Sequence, residues 1–123
     1  MSGIAWLVCH YALSGNGAPH PAEPLWLEIH GAAGMFGLVL FGMLFATHMQ
    51  RAWALGRGRA SGGTLAVAFA VLAVSGYGLY YVGDDDARAW IGAAHWVIGL
   101  AFPTVFAIHV ARLRTQLRRV PSD

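Results

Sequence analysis

The chain has 123 residues, of which 57% are hydrophobic and 11% are charged, and its formal net charge is +2. Soluble domains carry about 25% charged residues, so this composition excludes an ordinary water-soluble domain. All eight basic residues are arginines, seven of which stand in two groups along the chain, and no nucleic-acid partner is expected from them. The single cysteine, Cys9, excludes an internal disulfide.

The first half of the chain contains two apolar stretches. Residues 3–13 predict a short helix, which at about 1.5 Å per residue covers about half of a ~30 Å hydrocarbon core. A Gly- and Pro-rich loop follows, in which His20 is expected to be solvated. A second helix is predicted from Glu23, with a proline in its first turn, to about Trp53, which is long enough to span a membrane.

The second half predicts two more membrane helices. An Arg/Gly/Ser loop is expected over 55–63, and a third helix over 64–82. The segment 83–86 is Gly-Asp-Asp-Asp, which ends that helix and caps a fourth one over 87–117. The sequence therefore predicts a single all-α domain over 1–123, embedded in the membrane. It would be an integral membrane four-helix bundle with three full spans plus a short N-terminal helix.

Orientation follows from the arginines. Seven of the eight lie between helices two and three or after helix four: Arg51, Arg57, Arg59, Arg112, Arg114, Arg118 and Arg119. Since arginine-rich loops stay on the cytoplasmic side, this loop and the C-terminus are predicted to be cytoplasmic.

Histidines are the residues in these apolar segments that point to chemistry. Five of the six lie in or at the ends of predicted helices: His10, His30, His48, His95 and His109. An ionisable residue inside a membrane span is costly and indicates a function, and neutral imidazole is the commonest metal ligand in proteins.

The histidine spacing predicts two haems. His95 and His109 are 14 residues apart, so they share a helix face at an axial distance of about 21 Å. His48 and His109 both lie at the inner ends of their helices and are predicted to be the two axial ligands of one haem. His95 is predicted to be one ligand of the outer haem, and its partner is either His10 or His30. His30 lies about 27 Å from His48, whereas His95 lies about 21 Å from His109, so His30 and His95 are not level when His48 and His109 are.

The sequence resembles small bacterial di-haem b-type cytochromes, of the broad class related to bacterial cytochrome b561. The resemblance rests on these segments: His10-Tyr11, Leu27-Glu28-Ile29-His30-Gly31, Thr47-His48, Ser75-Gly76-Tyr77-Gly78-Leu79-Tyr80-Tyr81-Val82-Gly83-Asp84, His95-Trp96-Val97-Ile98-Gly99-Leu100 and His109. It implies a multi-pass protein of the bacterial inner membrane with two bis-histidine haems b. The axial ligands that it implies are His10, His48, His95 and His109. It also implies electron transfer between the quinone pool, with a possible bound quinone, and a periplasmic or membrane partner such as a c-type cytochrome.

Two departures from that pattern affect the outer haem. The first helix is truncated, and the second helix offers two histidines instead of one. A short first helix suggests that another subunit covers the exposed haem face, so an electron-transfer subunit of a larger oxidoreductase complex is expected, not a stand-alone catalyst. The alternatives are a haem-free membrane anchor subunit and a transporter that uses the histidines as a relay.

Overall fold

The computed structural model describes residues 2–14, 18–56 and 58–118, with side chains through residue 115. Arg57 and Arg119 of the arginine-rich ends, and residues 15–17 of the predicted loop, lie outside the described residues. The described chain forms four helices: α1 (Ser2–Leu13), α2 (Glu23–Ala54), α3 (Arg59–Tyr81) and α4 (Asp85–Arg118). The predicted all-α fold, with three long helices and a short N-terminal one, is confirmed.

The surface of these helices is apolar. Helices α2, α3 and α4 are each long and apolar enough to cross a membrane, whereas α1 is too short. Large apolar side chains are widely exposed along them, up to 79% for Trp90. Among the described residues only Cys9 and Glu23 are buried. Helices with satisfied backbones and exposed apolar side chains are what a lipid environment requires, so the chain has the character of a multi-pass membrane protein.

The loop before α3 is shorter than predicted. Helix α3 begins at Arg59, so the predicted loop over 55–63 and the predicted helix start at residue 64 are wrong. The turn is made by Gly56 and Gly58, whose φ angles of 69° and 62° strain any residue with a Cβ. Both Nε and Nη2 of Arg59 donate to the Trp53 carbonyl, at 3.1 and 2.6 Å, which satisfies a C-terminal carbonyl of α2.

The residues group into two compact units, Met1–Met43 and Leu44–Asp123. In the first unit α1 is antiparallel to the start of α2, since Ser2 lies against His30 and His10 against Glu23. These contacts tie both ends of the short helix to its neighbour.

The second unit contains an antiparallel hairpin of α3 and α4. Its turn is short, and Asp84 Oδ1 accepts a 2.8 Å hydrogen bond from the Ala87 backbone N–H. The predicted aspartate cap of the last helix is thereby confirmed. Small residues lie where the two helices meet: a Cβ on Gly78 would contact Ile91, and one on Gly99 would contact Leu72. Such residues let membrane helices approach closely.

Two segments of the described chain are π-helical. One ends α1, over Cys9–Leu13, and the other lies inside α2, over Phe45–Met49. The first contains His10 and the second contains His48. Single π-turns are rare and occur frequently at functional sites, because the wider turn displaces the side chains from the regular α-helical face.

Candidate functional site

The structure places the five candidate histidines on three helices. His10 lies in the π-turn of α1, His30 and His48 lie on α2, and His95 and His109 lie on α4. Which histidines pair across helices remains a prediction from the sequence. What the structure adds is the hydrogen-bond partner of four of these imidazoles, those of His10, His30, His95 and His109.

His95 is held by Ser75 of α3. Its Nδ1 lies 2.9 Å from the Ser75 Oγ. The Ser75 hydroxyl lies 2.6 Å from the Val71 carbonyl, which accepts its single hydrogen. The Ser75 oxygen therefore accepts from His95 Nδ1–H, and this tautomer carries its lone pair on Nε2, the atom that would bind a metal.

His109 also has a serine partner on the α3 side, Ser61. The distance between His109 Nδ1 and Ser61 Oγ is 2.8 Å. The imidazole lies close to the α3 backbone, because a Cβ on either Gly58 or Gly62 would be 3.6 Å from His109 Cε1. Gly62 is thus helical and adjacent to the candidate ligand, although the sequence assigned it to a loop.

His10 has a carboxylate partner. Its Nδ1 lies 3.0 Å from Glu23 Oε2, and an ionised carboxylate only accepts, so the imidazole donates from Nδ1. The ring stacks on Trp6, with centroids 4.7 Å apart and an interplanar angle of 13°. The His10 side chain nevertheless remains 43% exposed.

Glu23 organises the loop around His10. Its Oε1 accepts from the Ser14 hydroxyl at 2.7 Å and from the His20 backbone N–H at 3.1 Å. Burial of a charged group costs free energy unless the group is hydrogen-bonded, and these donors offset the cost of burying the Glu23 carboxylate. His20, predicted to be a solvated loop residue, is half-buried, and its Nδ1 accepts from the Ala22 N–H.

His30 and His48 differ in their surroundings. His30 Nδ1 lies 3.2 Å from Ser2 Oγ, and a Cβ on Gly3 would be 3.3 Å from its Cε1 and 3.8 Å from its Nε2. The His30 ring thus lies close to Gly3 of α1. His48 is exposed, on the π-helical turn of α2.

The sequence alone does not predict these partners. Glu23 stands at the start of a predicted helix, and Ser61 stands in a predicted loop. One signal was present: Ser-Gly occurs at 61–62 and again at 75–76, the same 14-residue spacing as the two histidines of α4. That spacing becomes informative once the antiparallel register of α3 and α4 is known.

Among the described residues, no group of three His, Cys, Asp or Glu side chains is placed to hold a bare metal ion. Comparison with known proteins gave no matching family model and no significantly similar curated protein or solved structure. The resemblance to di-haem cytochromes therefore rests on the sequence segments given above alone.

Proposed function

We propose that the chain is a membrane b-type cytochrome that transfers electrons through two bis-histidine haems. It would act between the quinone pool and a periplasmic or membrane redox partner, as a subunit of a larger oxidoreductase. The observation that carries the proposal is the pair of Ser–His hydrogen bonds on α3 and α4. Each one holds Nδ1 of an imidazole that stands on an apolar, membrane-length helix.

The donor chemistry fits haem iron. Metal-bound histidine nearly always donates its other ring N–H to an oxygen acceptor, which fixes the ring and its tautomer. His10 and His95 each have such an acceptor at Nδ1, and His109 Nδ1 lies within hydrogen-bond distance of the Ser61 hydroxyl. Bound haem would supply a one-electron carrier. The chain's own contribution would be to orient the imidazoles and to exclude water with its apolar helices.

We propose His48 and His109 as the ligands of the inner haem, because both lie at the inner ends of their predicted membrane helices. Both belong to the second unit of the chain. For the outer haem we propose His95 and His10, and the contacts inside the first unit favour His10 over His30. The His10 ring is exposed and held by a carboxylate, whereas the Nε2 edge of His30 packs on Gly3.

This choice has a direct test. His10→Ala should lower the haem content of the purified protein by about half, because one of two ligand pairs is lost. His30→Ala should keep both haems and only loosen α1. Full haem content in the His10 variant together with loss in the His30 variant would reverse the assignment.

The proposed location is the bacterial inner membrane, with the arginine-rich loop and the C-terminus cytoplasmic. Cysteine labelling in a Cys9→Ser background tests it, because Leu55 and Asp86 lie at opposite ends of α3 and α4 and are both exposed. A membrane-impermeant maleimide should label Asp86→Cys in intact spheroplasts and Leu55→Cys only after lysis. The opposite pattern would invert the topology.

The function itself is tested by an optical spectrum of the detergent-purified chain. The reduced-minus-oxidised difference should show the bands of six-coordinate haem b. His109→Ala should remove about half of that signal, and His20→Ala, in the loop, should leave it unchanged. A featureless spectrum would reject the cytochrome and leave the haem-free anchor or the histidine-relay transporter. An unchanged signal in His109→Ala would reject that ligand.

A further inference from the structure

Helices α3 and α4 carry a matched pair of Ser-Gly and His positions. Ser61-Gly62 and Ser75-Gly76 are 14 residues apart on α3, and His95 and His109 are 14 residues apart on α4. Because the helices are antiparallel, Ser61 contacts His109 and Ser75 contacts His95. Two equivalent contacts, about 21 Å apart along the hairpin, result from this arrangement.

We infer that Ser61 and Ser75 are positioning residues, each of which orients the ring of one haem ligand through a hydrogen bond at Nδ1 and tunes the reduction potential of one haem independently. This inference rests on the proposed function. It names the residues of this chain that would set the properties of the two redox centres.

The hydroxyl of Ser75 is committed by its own helix. It lies 2.6 Å from the carbonyl of Val71, one turn earlier, and 3.2 Å from that of Leu72. With its hydrogen used there, its oxygen is left to accept from His95 Nδ1–H. The serine thus holds the His95 imidazole in the tautomer that carries its hydrogen on Nδ1.

The glycine after each serine brings the ring close to α3. A Cβ at Gly76 would be 3.4 Å from His95 Cε1, and one at Gly62 would be 3.6 Å from His109 Cε1. The imidazole therefore lies between a hydroxyl acceptor and a flat stretch of helix backbone. Rotation of the ring about its Cβ–Cγ bond would break the hydrogen bond or press the ring on α3.

A hydrogen bond accepted from Nδ1–H raises the basicity of the ligand. A more basic imidazole stabilises ferric over ferrous iron, so loss of the serine oxygen should raise the midpoint potential. If the contact favours the ferric state by about tenfold, the one-electron midpoint potential shifts by about 59 mV. Each serine touches one of the two histidines, so each substitution should move one redox couple and leave the other in place.

The test uses the full-length chain with Ser75→Ala, Ser61→Ala and the conservative Ser75→Thr. Thr64→Ala is the matched control, because in the described part of the chain the Thr64 hydroxyl donates to the Ala60 carbonyl of its own helix and contacts no histidine. Potentiometric titration followed in the haem absorption bands resolves the couples. Histidine ¹⁵N NMR of the dithionite-reduced protein reports the protonation of Nδ1 and does not depend on electron-transfer activity.

Each alanine variant should raise a different single couple at unchanged haem content. Ser75→Thr should restore its couple, and Thr64→Ala should move neither. Unchanged potentials and unchanged Nδ1–H signals in both alanine variants would overturn the inference, as would equal shifts of both couples in each. If the wild type carries no haem, the proposed function and the redox part of the inference fail together. The NMR measurement would then still decide whether the serines form hydrogen bonds with the histidines at Nδ1.

Discussion

Replacement of Gly76 by valine tests the close approach of α3 and α4 around His95. A Cβ at this position would be 3.4 Å from His95 Cε1 and 3.9 Å from its Nδ1. Carbon atoms in contact are ordinarily about 3.5–4.0 Å apart, so an alanine would fit at the limit. Valine adds two methyl groups beyond the Cβ, and in a helix its χ1 is nearly confined to one rotamer. At least one methyl should therefore crowd the ring.

The expected cost follows from these contacts. Overpacking of a tight interface costs about 1–3 kcal/mol. Displacement of the His95 ring would also lengthen its bond to Ser75, and interhelical hydrogen bonds in membranes contribute about 0.6 kcal/mol on average. Gly76→Ala should be nearly neutral, because a gain of up to about 1 kcal/mol in helix propensity offsets its tight contact. Gly76→Val should lower the free energy of unfolding by about 1–3 kcal/mol.

Gly42→Val is the matched control. Gly42 is also an interior residue of a membrane-length helix, and nothing lies within 4 Å of its Cβ position. Denaturant titration in mixed micelles, followed by tryptophan fluorescence, gives the free energy of unfolding of each variant. If Gly76→Val is as stable as Gly42→Val, the close packing of the His95 ring on α3 is refuted.

Two further predictions concern carboxylates. Glu23→Ala should destabilise the protein, because the half-buried Ser14 hydroxyl and the His20 backbone N–H would lose their acceptor, whereas the exposed Glu28→Ala should change stability little. Thermal unfolding compares the two variants, and equal midpoints would contradict the assigned role of Glu23. Asp84→Ala should cost about 1 kcal/mol through loss of the cap on the Ala87 N–H, and Asp86→Ala should cost less because it caps nothing. Amide hydrogen exchange at Ala87 should rise in the Asp84 variant alone, and an equal rise in both variants would exclude the capping role.

The long helices could be predicted because membrane spans are determined by local composition. The predicted second helix, from Glu23 to about Trp53, matches the observed Glu23–Ala54 to within one residue. The start of α3 could not be predicted in the same way. Ser61 and Gly62 have the composition of a loop, but they are helical because His109 packs against them. Their conformation is set by a contact 48 residues away in sequence.

The histidines were found from their type and spacing, and the structure supplied their partners. The sequence could show that His95 and His109 share a face, since helical periodicity is a local property. It could not show that Ser75 and Ser61 face them, because that depends on the register of the α3–α4 hairpin. The π-helical turns at His10 and His48 were also missed, since no composition distinguishes them from α-helix.

The central claim is that this membrane chain holds two haems through four histidines. The number of haem b molecules per polypeptide measures it most directly. A pyridine haemochrome assay, combined with quantitative amino-acid analysis of protein purified from haem-sufficient cells, gives that ratio. We expect a ratio of two haem b molecules per polypeptide. A ratio near zero would show that the chain does not hold haem.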